Sequence, residues 1–296
     1  MKKFLAMLCC SALMGGLLAG CGNGSAPTDP SSTANIESDG TLNTTVYVNI
    51  AASLVSSFEE IVPLYNETQP NVTISINSGS SGKLMQEIEE AAGHGVDIFF
   101  SAGKSQVTQL DEIDGLVVDG TTVNLLQNEL CLVTGKDSGT AVTGWEDLSN
   151  ASNMALCDGS VPVGKYSREA FVSLGLLPDT DDNSAYTSDE VSAALGGVEI
   201  NECANVGAVT SAVAEGSNEV GTVYYSDTYG LEDRLEILQV IPYDLTGDVI
   251  YPVAQVQNPE AEELESTTAK EFIDFLITDD AKTIFRKYYF DTDVEN

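Results

Sequence analysis

Residues 45–65, TVYVNIAASLVSSFEEIVPLY, decide the fold class that this sequence predicts. The first six of them are mostly apolar and β-branched, in the pattern of a strand. From Leu54 onward, apolar side chains recur at helical spacing, which predicts a helix with Ser53 at or beside its N-cap. A strand that leads directly into a helix is typical of an α/β fold with mainly parallel strands.

The same strand and helix unit recurs along the chain. A strand at 72–76 is followed by Gly79-Ser80-Ser81-Gly82 and a second amphipathic helix. The stretch 96–100 is almost wholly apolar, so we expect a central strand that is buried on both faces. A second α/β body follows, and the later predicted strands are 130–134, 154–157, 198–203, 220–225, 235–241 and 251–256, with helices at 165–174, 191–195, 206–214, 268–277 and 280–289.

The first residues carry a predicted export signal. Lys2 and Lys3 precede an apolar stretch that is short for a lasting membrane span, which indicates a signal peptide over residues 1–20. The stretch ends in Leu18-Ala19-Gly20-Cys21, which resembles the lipobox of bacterial lipoproteins, where the cysteine is lipidated and becomes the mature N-terminus. Residues 21–43 are polar and rich in Gly, Ser and Thr, which predicts a flexible tether. We expect an extracytoplasmic protein anchored to the membrane through Cys21; the alternative is a plain signal peptide cleaved near Ala19.

The charge balance excludes several classes of function. The 296 residues include 46 Asp and Glu against 12 Lys and Arg, a formal net charge of −34. A chain this acidic is not expected to bind nucleic acid, or anionic lipid through charge. His94 is the one histidine of the sequence, which argues against His-rich metal sites and against most hydrolases that use a Ser-His-Asp triad.

Small and hydroxyl residues occupy the junctions between predicted strands and helices. These junctions are Ala52-Ser53, Gly79-Ser80-Ser81-Gly82, Val161-Pro162-Val163-Gly164 and Asn205-Val206. In doubly wound sheets such junctions lie at the carboxyl ends of the strands, where ligands bind. Unsatisfied N–H groups and helix dipoles would hold a small anion there without Lys or Arg. Each junction alone could be an ordinary cap or turn, so the prediction depends on all of them together.

Taken in order, these motifs resemble those of the molybdate-binding proteins of bacterial ABC importers, which have the two-lobed type II periplasmic-binding-protein fold. The resemblance extends from Thr45 to Tyr289 and implies a ligand cleft between lobe I, residues 44–129 and 246–296, and lobe II, residues 130–245. Further matching motifs are Val96-Asp97-Ile98-Phe99-Phe100-Ser101-Ala102, Gly221-Thr222-Val223-Tyr224, Tyr251-Pro252-Val253-Ala254 and Ile284-Phe285-Arg286-Lys287-Tyr288.

This resemblance implies a monomeric receptor, not an enzyme, that captures molybdate and also tungstate. It implies delivery of the oxyanion to the permease and the ATPase of an ABC importer, with no cofactor and no metal held directly by side chains, because the metal arrives as its oxyanion. The residues that it assigns to the oxyanion are Ser53, Ser81, Val163, Val206 and Tyr224. The serines and the tyrosine offer hydroxyls, and the valines offer backbone N–H groups.

The sequence departs from the family pattern in lobe II. Val163 stands where the family usually has alanine, Gly207 replaces a common arginine, and an insertion lies between Leu177 and Asn205. Three alternatives to the molybdate receptor are a receptor for sulfate, phosphate or another oxyanion, a secreted serine hydrolase with Ser53 or Ser81 as nucleophile, and a surface sensor or adhesin that has lost the ligand.

The cysteines of lobe II leave one question open. Cys157 and Cys203 each end a predicted strand near the site loops, and an extracytoplasmic destination permits a disulfide. The sequence is equally consistent with a Cys157–Cys203 bridge and with two buried thiols. Cys131 lies inside an apolar strand and is expected to be a small core residue.

Overall fold

The structure, a computed structural model, describes residues 43–294, and in this part of the chain ten strands form two five-stranded sheets. We call the sheet that contains β1, with the helices packed on it, lobe I, and the sheet that contains β5 lobe II. The strands are β1 Thr44–Ala51, β2 Val72–Gly79, β3 Ile98–Phe100, β4 Val123–Asn128, β5 Leu130–Gly135, β6 Asn153–Cys157, β7 Glu199–Cys203, β8 Val220–Tyr224, β9 Leu235–Ile241 and β10 Val249–Gln255.

Lobe I has the strand order β2-β1-β3-β10-β4. Strand β1 pairs in parallel with β2 and β3, whereas β10 runs antiparallel to β3 and β4. The predicted central position of the third strand is confirmed, because Ile98, Phe99 and Phe100 are all buried and β3 is the middle strand. The apolar run at 96–100 therefore has the composition of a strand that is covered on both faces.

Lobe II has the strand order β7-β6-β8-β5-β9, with β6 parallel to β7 and β8, and β5 antiparallel to β8 and β9. The two-lobed α/β fold is as predicted, but each sheet is mixed, with one strand running against the others. These strands, β5 and β10, are the ones that enter their sheet directly from the other lobe. They follow no crossover helix within their own sheet, and such a helix is what parallel neighbours require.

The helices are α1 Val55–Asn66, α2 Ser81–Glu90, α3 Lys104–Thr108, α4 Pro162–Ser173, α5 Ser188–Ala194, α6 Val206–Ala214, α7 Tyr243–Thr246, α8 Glu263–Leu276 and α9 Asp279–Lys287. All the predicted helices are present and α6 has the predicted bounds, but α8 begins five residues earlier than predicted, and α3 and α7 were not predicted. As predicted, Ser53 stands beside the N-cap of α1, which is Leu54, and it is the middle residue of a 3₁₀ turn, Ala52–Leu54, that precedes the helix. The side chain is thereby left available for contacts other than capping.

The C-terminal helices belong to the core of lobe I. The ring of Phe58 in α1 lies edge-on to the rings of Phe100 and Phe272, with centroids 6.1 and 6.3 Å apart, and at 6.3 Å from Phe285 in α9. Such tilted aromatic pairs stabilise a core beyond the area that they bury. This cluster joins α1 to α8 and α9, so the residues after β10 pack on the sheet that contains β1.

The chain passes between the sheets at two places. Glu129 alone separates β4 from β5, and the segment around α7 connects β9 to β10. We propose the limits 129/130 and 245/246 for the two lobes. The predicted signal peptide, Cys21 and residues 21–42 of the tether lie outside the described residues. Between residues 43 and 294, no helix has both the length and the apolar character needed to cross a membrane.

Candidate functional site

A small cavity lies where the loops of the two lobes meet. All five residues that the sequence assigned to the oxyanion line it, so the structure brings the whole predicted set together. The lining carries no charged side chain. Its residues are Ala51, Ala52, Ser53, Gly79, Ser80, Ser81, Ala102, Val161, Pro162, Val163, Asn205, Val206 and Tyr224.

Three helices begin at this cavity, one from lobe I and two from lobe II. Helix α2 begins at Ser81, α4 at Pro162 and α6 at Val206. The caps of α2 and α6 are the side chains of Ser80 and Asn205, and each accepts from the N–H of the third helical residue and not from that of the first. The first N–H groups of a helix have no partner within it, and they carry the positive end of its dipole. The three helix N-termini therefore present partial positive charges to the cavity, although no cationic side chain lines it.

Helix α4 differs from the other two because its N-cap is Val161, which has no side chain that can cap. Proline at the first position has no N–H, so the N–H of Val163 is the first one that this helix can offer. The tight loop before it depends on Gly164, where an added Cβ would lie 1.9 Å from the carbonyl oxygen of Asp158. The buried Arg168 fixes the same loop by donating to the carbonyl oxygens of Cys157 and Gly164, at 2.8 and 2.9 Å.

The three hydroxyl groups of the predicted site are buried. Ser81 is 1% exposed, and its Oγ accepts a hydrogen bond of 3.0 Å from the N–H of Ala102. The Oγ of Ser53 lies 3.0 Å from the hydroxyl of Tyr251. The hydroxyl of Tyr224 is buried and has no hydrogen-bond partner. A buried hydroxyl without a partner costs about 1–3 kcal/mol, so this group requires an explanation, and a ligand in the cavity would supply its acceptor.

One carboxyl group lies directly behind the tyrosine. Asp227 accepts a 3.1 Å hydrogen bond from the N–H of Tyr224, and burial raises the pKa of this carboxyl to about 7. Burial also raises the pKa of the Tyr224 hydroxyl well above its usual value, so the phenol remains protonated. A protonated phenol can donate a hydrogen bond to an anion. Sequence reasoning did not identify Asp227, because nothing in its local sequence indicates that this half-buried carboxyl lies against Tyr224.

The lobes touch each other beside the cavity. An added Cβ at Gly82, the second residue of α2, would lie 2.3 Å from the carbonyl oxygen of Ser160 in lobe II. Only glycine allows the backbones to approach this closely. The N-terminus of α2 and the loop before α4 are thus held in direct contact, and that contact brings the donors of the two lobes around one cavity.

The disulfide hypothesis is not supported, because Cys131, Cys157 and Cys203 are all free thiols in the structure. Cys157 and Cys203 are directly opposite each other in the parallel ladder of β6 and β7. Strands in a sheet are about 4.7–4.9 Å apart and side chains stand perpendicular to it, whereas a disulfide needs Cβ atoms about 3.8 Å apart. The Sγ of Cys203 instead contacts the carbonyl oxygen of Asn201 at 3.7 Å. Cys131 is a buried core residue, as predicted.

Neither a metal centre nor a hydrolase triad is found among residues 43–294. No three His, Cys, Asp or Glu side chains in this range are arranged to hold a metal ion. His94 is about half exposed and pairs with Glu260, 3.2 Å away, and neither residue lines the cavity. The hydrogen bonds of Ser53 and Ser81 run to a tyrosine and to a backbone N–H, so neither serine is bonded to a general base.

Comparison with known proteins agrees with this geometry. A family model described as "Bacterial extracellular solute-binding protein" matches residues 46–291. A Bacillus subtilis (strain 168) protein named "Putative ABC transporter substrate-binding lipoprotein YvgL" is 29% identical over 275 residues, which is 93% of this chain and 93% of that protein. The "Molybdate-binding protein ModA" of Mycobacterium bovis is 25% identical over 224 residues, 75% of this chain and 74% of that protein.

A solved structure extends the comparison to three dimensions. The "substrate binding domain of putative molybdenum ABC transporter from Clostridium difficile" superposes with a TM-score of 0.60 at 29% sequence identity. The match covers 85% of this chain and 99% of that one. These relatives are named as binding proteins, two of them for ABC transporters, and not as enzymes.

Proposed function

Since the chain belongs to the family of bacterial extracellular solute-binding proteins, we propose that it captures molybdate, and tungstate equally, and delivers it to the permease and ATPase of an ABC importer. The observation that carries this proposal is the uncharged cavity where helix N-termini from both lobes meet two serines and the unpartnered hydroxyl of Tyr224. The oxyanion contacts are the hydroxyls of Ser53, Ser81 and Tyr224 and the N–H groups of Val163 and Val206.

The chemistry of this donor set suits a tetrahedral dianion that carries no proton. Helix N-termini bind anions through aligned N–H groups, and hydrogen bonds to a charged acceptor are stronger than those between neutral groups. The cavity offers hydroxyls and N–H groups but no carboxylate to accept a proton from the ligand, which disfavours hydrogen phosphate. Molybdate and tungstate have nearly the same size and charge, so this site would bind both.

The same geometry explains why binding requires both lobes. Ser53 and Ser81 belong to lobe I, whereas Val163, Val206 and Tyr224 belong to lobe II. Only a closed arrangement surrounds the anion, so ligand binding favours closure over an open state. We further propose that the protein acts as a monomer, held at the outer face of the membrane through lipidated Cys21.

Calorimetric titration of the purified protein with molybdate, tungstate, sulfate and phosphate tests the proposal. The expected result is tight one-to-one binding of molybdate and tungstate and at least about 100-fold weaker binding of the other two, the discrimination that losing one or two charged hydrogen bonds would produce. Tight binding of sulfate instead would assign the site to the smaller oxyanion. Absence of binding to all four would refute an oxyanion receptor.

Release of the protein from membranes by Cys21→Ala would separately test the anchor.

A further inference from the structure

Two buried residues outside the lining of the cavity are connected by hydrogen bonds to one of its hydroxyl groups. Asn128 ends β4 immediately before the chain crosses into lobe II, and Tyr251 lies in β10; they are 1% and 0% exposed. The Nδ2 of Asn128 lies 3.2 Å from the hydroxyl of Tyr251, which in turn lies 3.0 Å from the Oγ of Ser53. These contacts form a chain of hydrogen bonds that ends at the cavity.

The direction of this chain is set at Asn128. Its Oδ1 accepts from two backbone N–H groups, those of Glu129 at 2.9 Å and Ser226 at 3.4 Å. The amide oxygen is therefore on the side of the backbone donors, and the Nδ2 group faces the hydroxyls of Ser226 and Tyr251. An amide NH₂ group has only donors. The contact between Asn128 and Tyr251 is consequently a donation to the tyrosine oxygen.

The hydroxyl proton of Tyr251 then has one possible acceptor among these contacts. Of the two partners of this hydroxyl, Asn128 can only donate, so Ser53 is the one that can accept the tyrosine proton, and we assign the O–H to its Oγ. Burial raises the pKa of Tyr251 well above its usual value, which keeps this donor protonated. Ser53 thus accepts a hydrogen bond inside the protein, and its own proton is directed elsewhere, into the cavity that it lines. Ser81 has the same arrangement, because its Oγ accepts from the N–H of Ala102.

We propose that Asn128 and Tyr251 are positioning residues that commit the Ser53 hydroxyl to donate its proton to the ligand, which makes the site selective for fully deprotonated oxyanions. This inference rests on the proposed function of the cavity. Without the relay, the Ser53 proton is free to turn away from the ligand, so that the oxygen faces the ligand as an acceptor for water or for a ligand that carries a proton. With the relay, a protonated oxyanion such as hydrogen phosphate faces hydroxyl donors at both Ser53 and Ser81.

A double-mutant cycle on molybdate affinity tests the proposal. Tyr251→Phe removes the hydroxyl and keeps the ring, so we expect molybdate to bind about tenfold more weakly, the effect of one misdirected hydrogen bond. If Tyr251 acts through Ser53, the same change in a Ser53→Ala background costs less than about twofold. The ratio of molybdate to phosphate affinity also falls in Tyr251→Phe. Tyr65→Phe is the matched control, because it removes another buried tyrosine hydroxyl in lobe I, outside the cavity lining, and leaves affinity unchanged.

The outcomes separate this inference from the proposed function. If the unaltered protein binds none of the four oxyanions, the proposed function fails and the inference fails with it. If it binds molybdate but Tyr251→Phe has no effect, or an equal effect in both backgrounds, only the relay is overturned. If Tyr251→Phe does not fold, Asn128→Asp is used in its place. The aspartate retains an oxygen that accepts from the N–H groups of Glu129 and Ser226, but it turns the tyrosine proton away from Ser53. Its loss of affinity must then shrink in the Ser53→Ala background, and an equal loss would overturn the relay.

Discussion

The contact between Gly82 and Ser160 gives the sharpest prediction about closure. In Gly82→Ala, the new Cβ would lie 2.3 Å from a backbone oxygen of the opposite lobe, about 1 Å short of an ordinary contact. Since alanine is favoured over glycine in a helix by up to about 1 kcal/mol, the change should stabilise α2 itself. The substitution therefore strains only the closed arrangement, and we expect the unliganded protein to be as stable as before or slightly more so.

The magnitude of the binding defect follows from the same distance. If the lobes open by about 1 Å, the hydrogen bonds between one lobe and the ligand lengthen from about 2.8 Å to about 3.8 Å. That distance is beyond the limit of a hydrogen bond. Loss of one or two bonds to a charged ligand costs about 2–4 kcal/mol, which is roughly a 30-fold to 1000-fold weaker affinity for molybdate. Calorimetry measures the affinity, and thermal unfolding without ligand measures the stability.

Gly207→Ala is the matched control, because Gly207 is the second residue of α6 as Gly82 is of α2. Its added Cβ would meet only the side-chain oxygen of Asn205, at 3.4 Å, so affinity should change less than about threefold, within the range of ordinary surface substitutions. Unchanged affinity in Gly82→Ala would refute the argument that this contact belongs to the liganded state. Equal losses in both variants would show that the effect is not specific to closure.

Three further predictions follow from individual side chains. Tyr224→Phe removes a buried hydroxyl that has no partner, so the unliganded protein should melt at the same or a higher temperature while molybdate binds about tenfold more weakly; a lower melting temperature would contradict this reading. Asp227 has its pKa raised to about 7 in the folded state, above its unfolded value of 3.8, so its contribution to stability is lost as the pH rises through this range. Near pH 3.5, Asp227→Asn should therefore have the same free energy of unfolding as the unaltered protein. Between pH 4 and 7 the variant should become the more stable of the two, by a difference on the order of 2–4 kcal/mol in chemical denaturation. A difference that does not depend on pH would refute the assignment. Alkylation of the unfolded protein without reductant, followed by mass spectrometry, should modify Cys131, Cys157 and Cys203 alike, and a pair protected from alkylation would restore the disulfide hypothesis.

Much of the site could be predicted because its chemistry is local in sequence. Ser53, Ser81, Val163 and Val206 each stand at a junction where a strand gives way to a helix, and such junctions meet at the carboxyl ends of parallel strands. Hydroxyl and glycine residues at these positions were visible as motifs. The fold class followed from the same alternation of strands and helices.

The residues behind the cavity could not be found in this way. Asn128 acts through contacts with Ser226 and Tyr251, which are 98 and 123 residues away in sequence, and its strand was not predicted. Asp227 stands out through its desolvation, which raises the pKa of its carboxyl and depends on packing by residues distant in sequence. The sheets are mainly parallel, as predicted, but the one strand of each that runs against the others could not be identified, because strands that enter from the other lobe show the same apolar pattern as strands that follow a crossover helix.

The most direct test of the central claim is a crystal structure of the protein with molybdate, measured with X-rays at the molybdenum absorption edge. Our account predicts a single strong anomalous peak inside the cavity, within hydrogen-bond distance of the hydroxyls of Ser53, Ser81 and Tyr224 and of the N–H groups of Val163 and Val206. A peak elsewhere, or one held by Lys or Arg side chains, would contradict the claim that this uncharged cavity between the lobes binds the oxyanion.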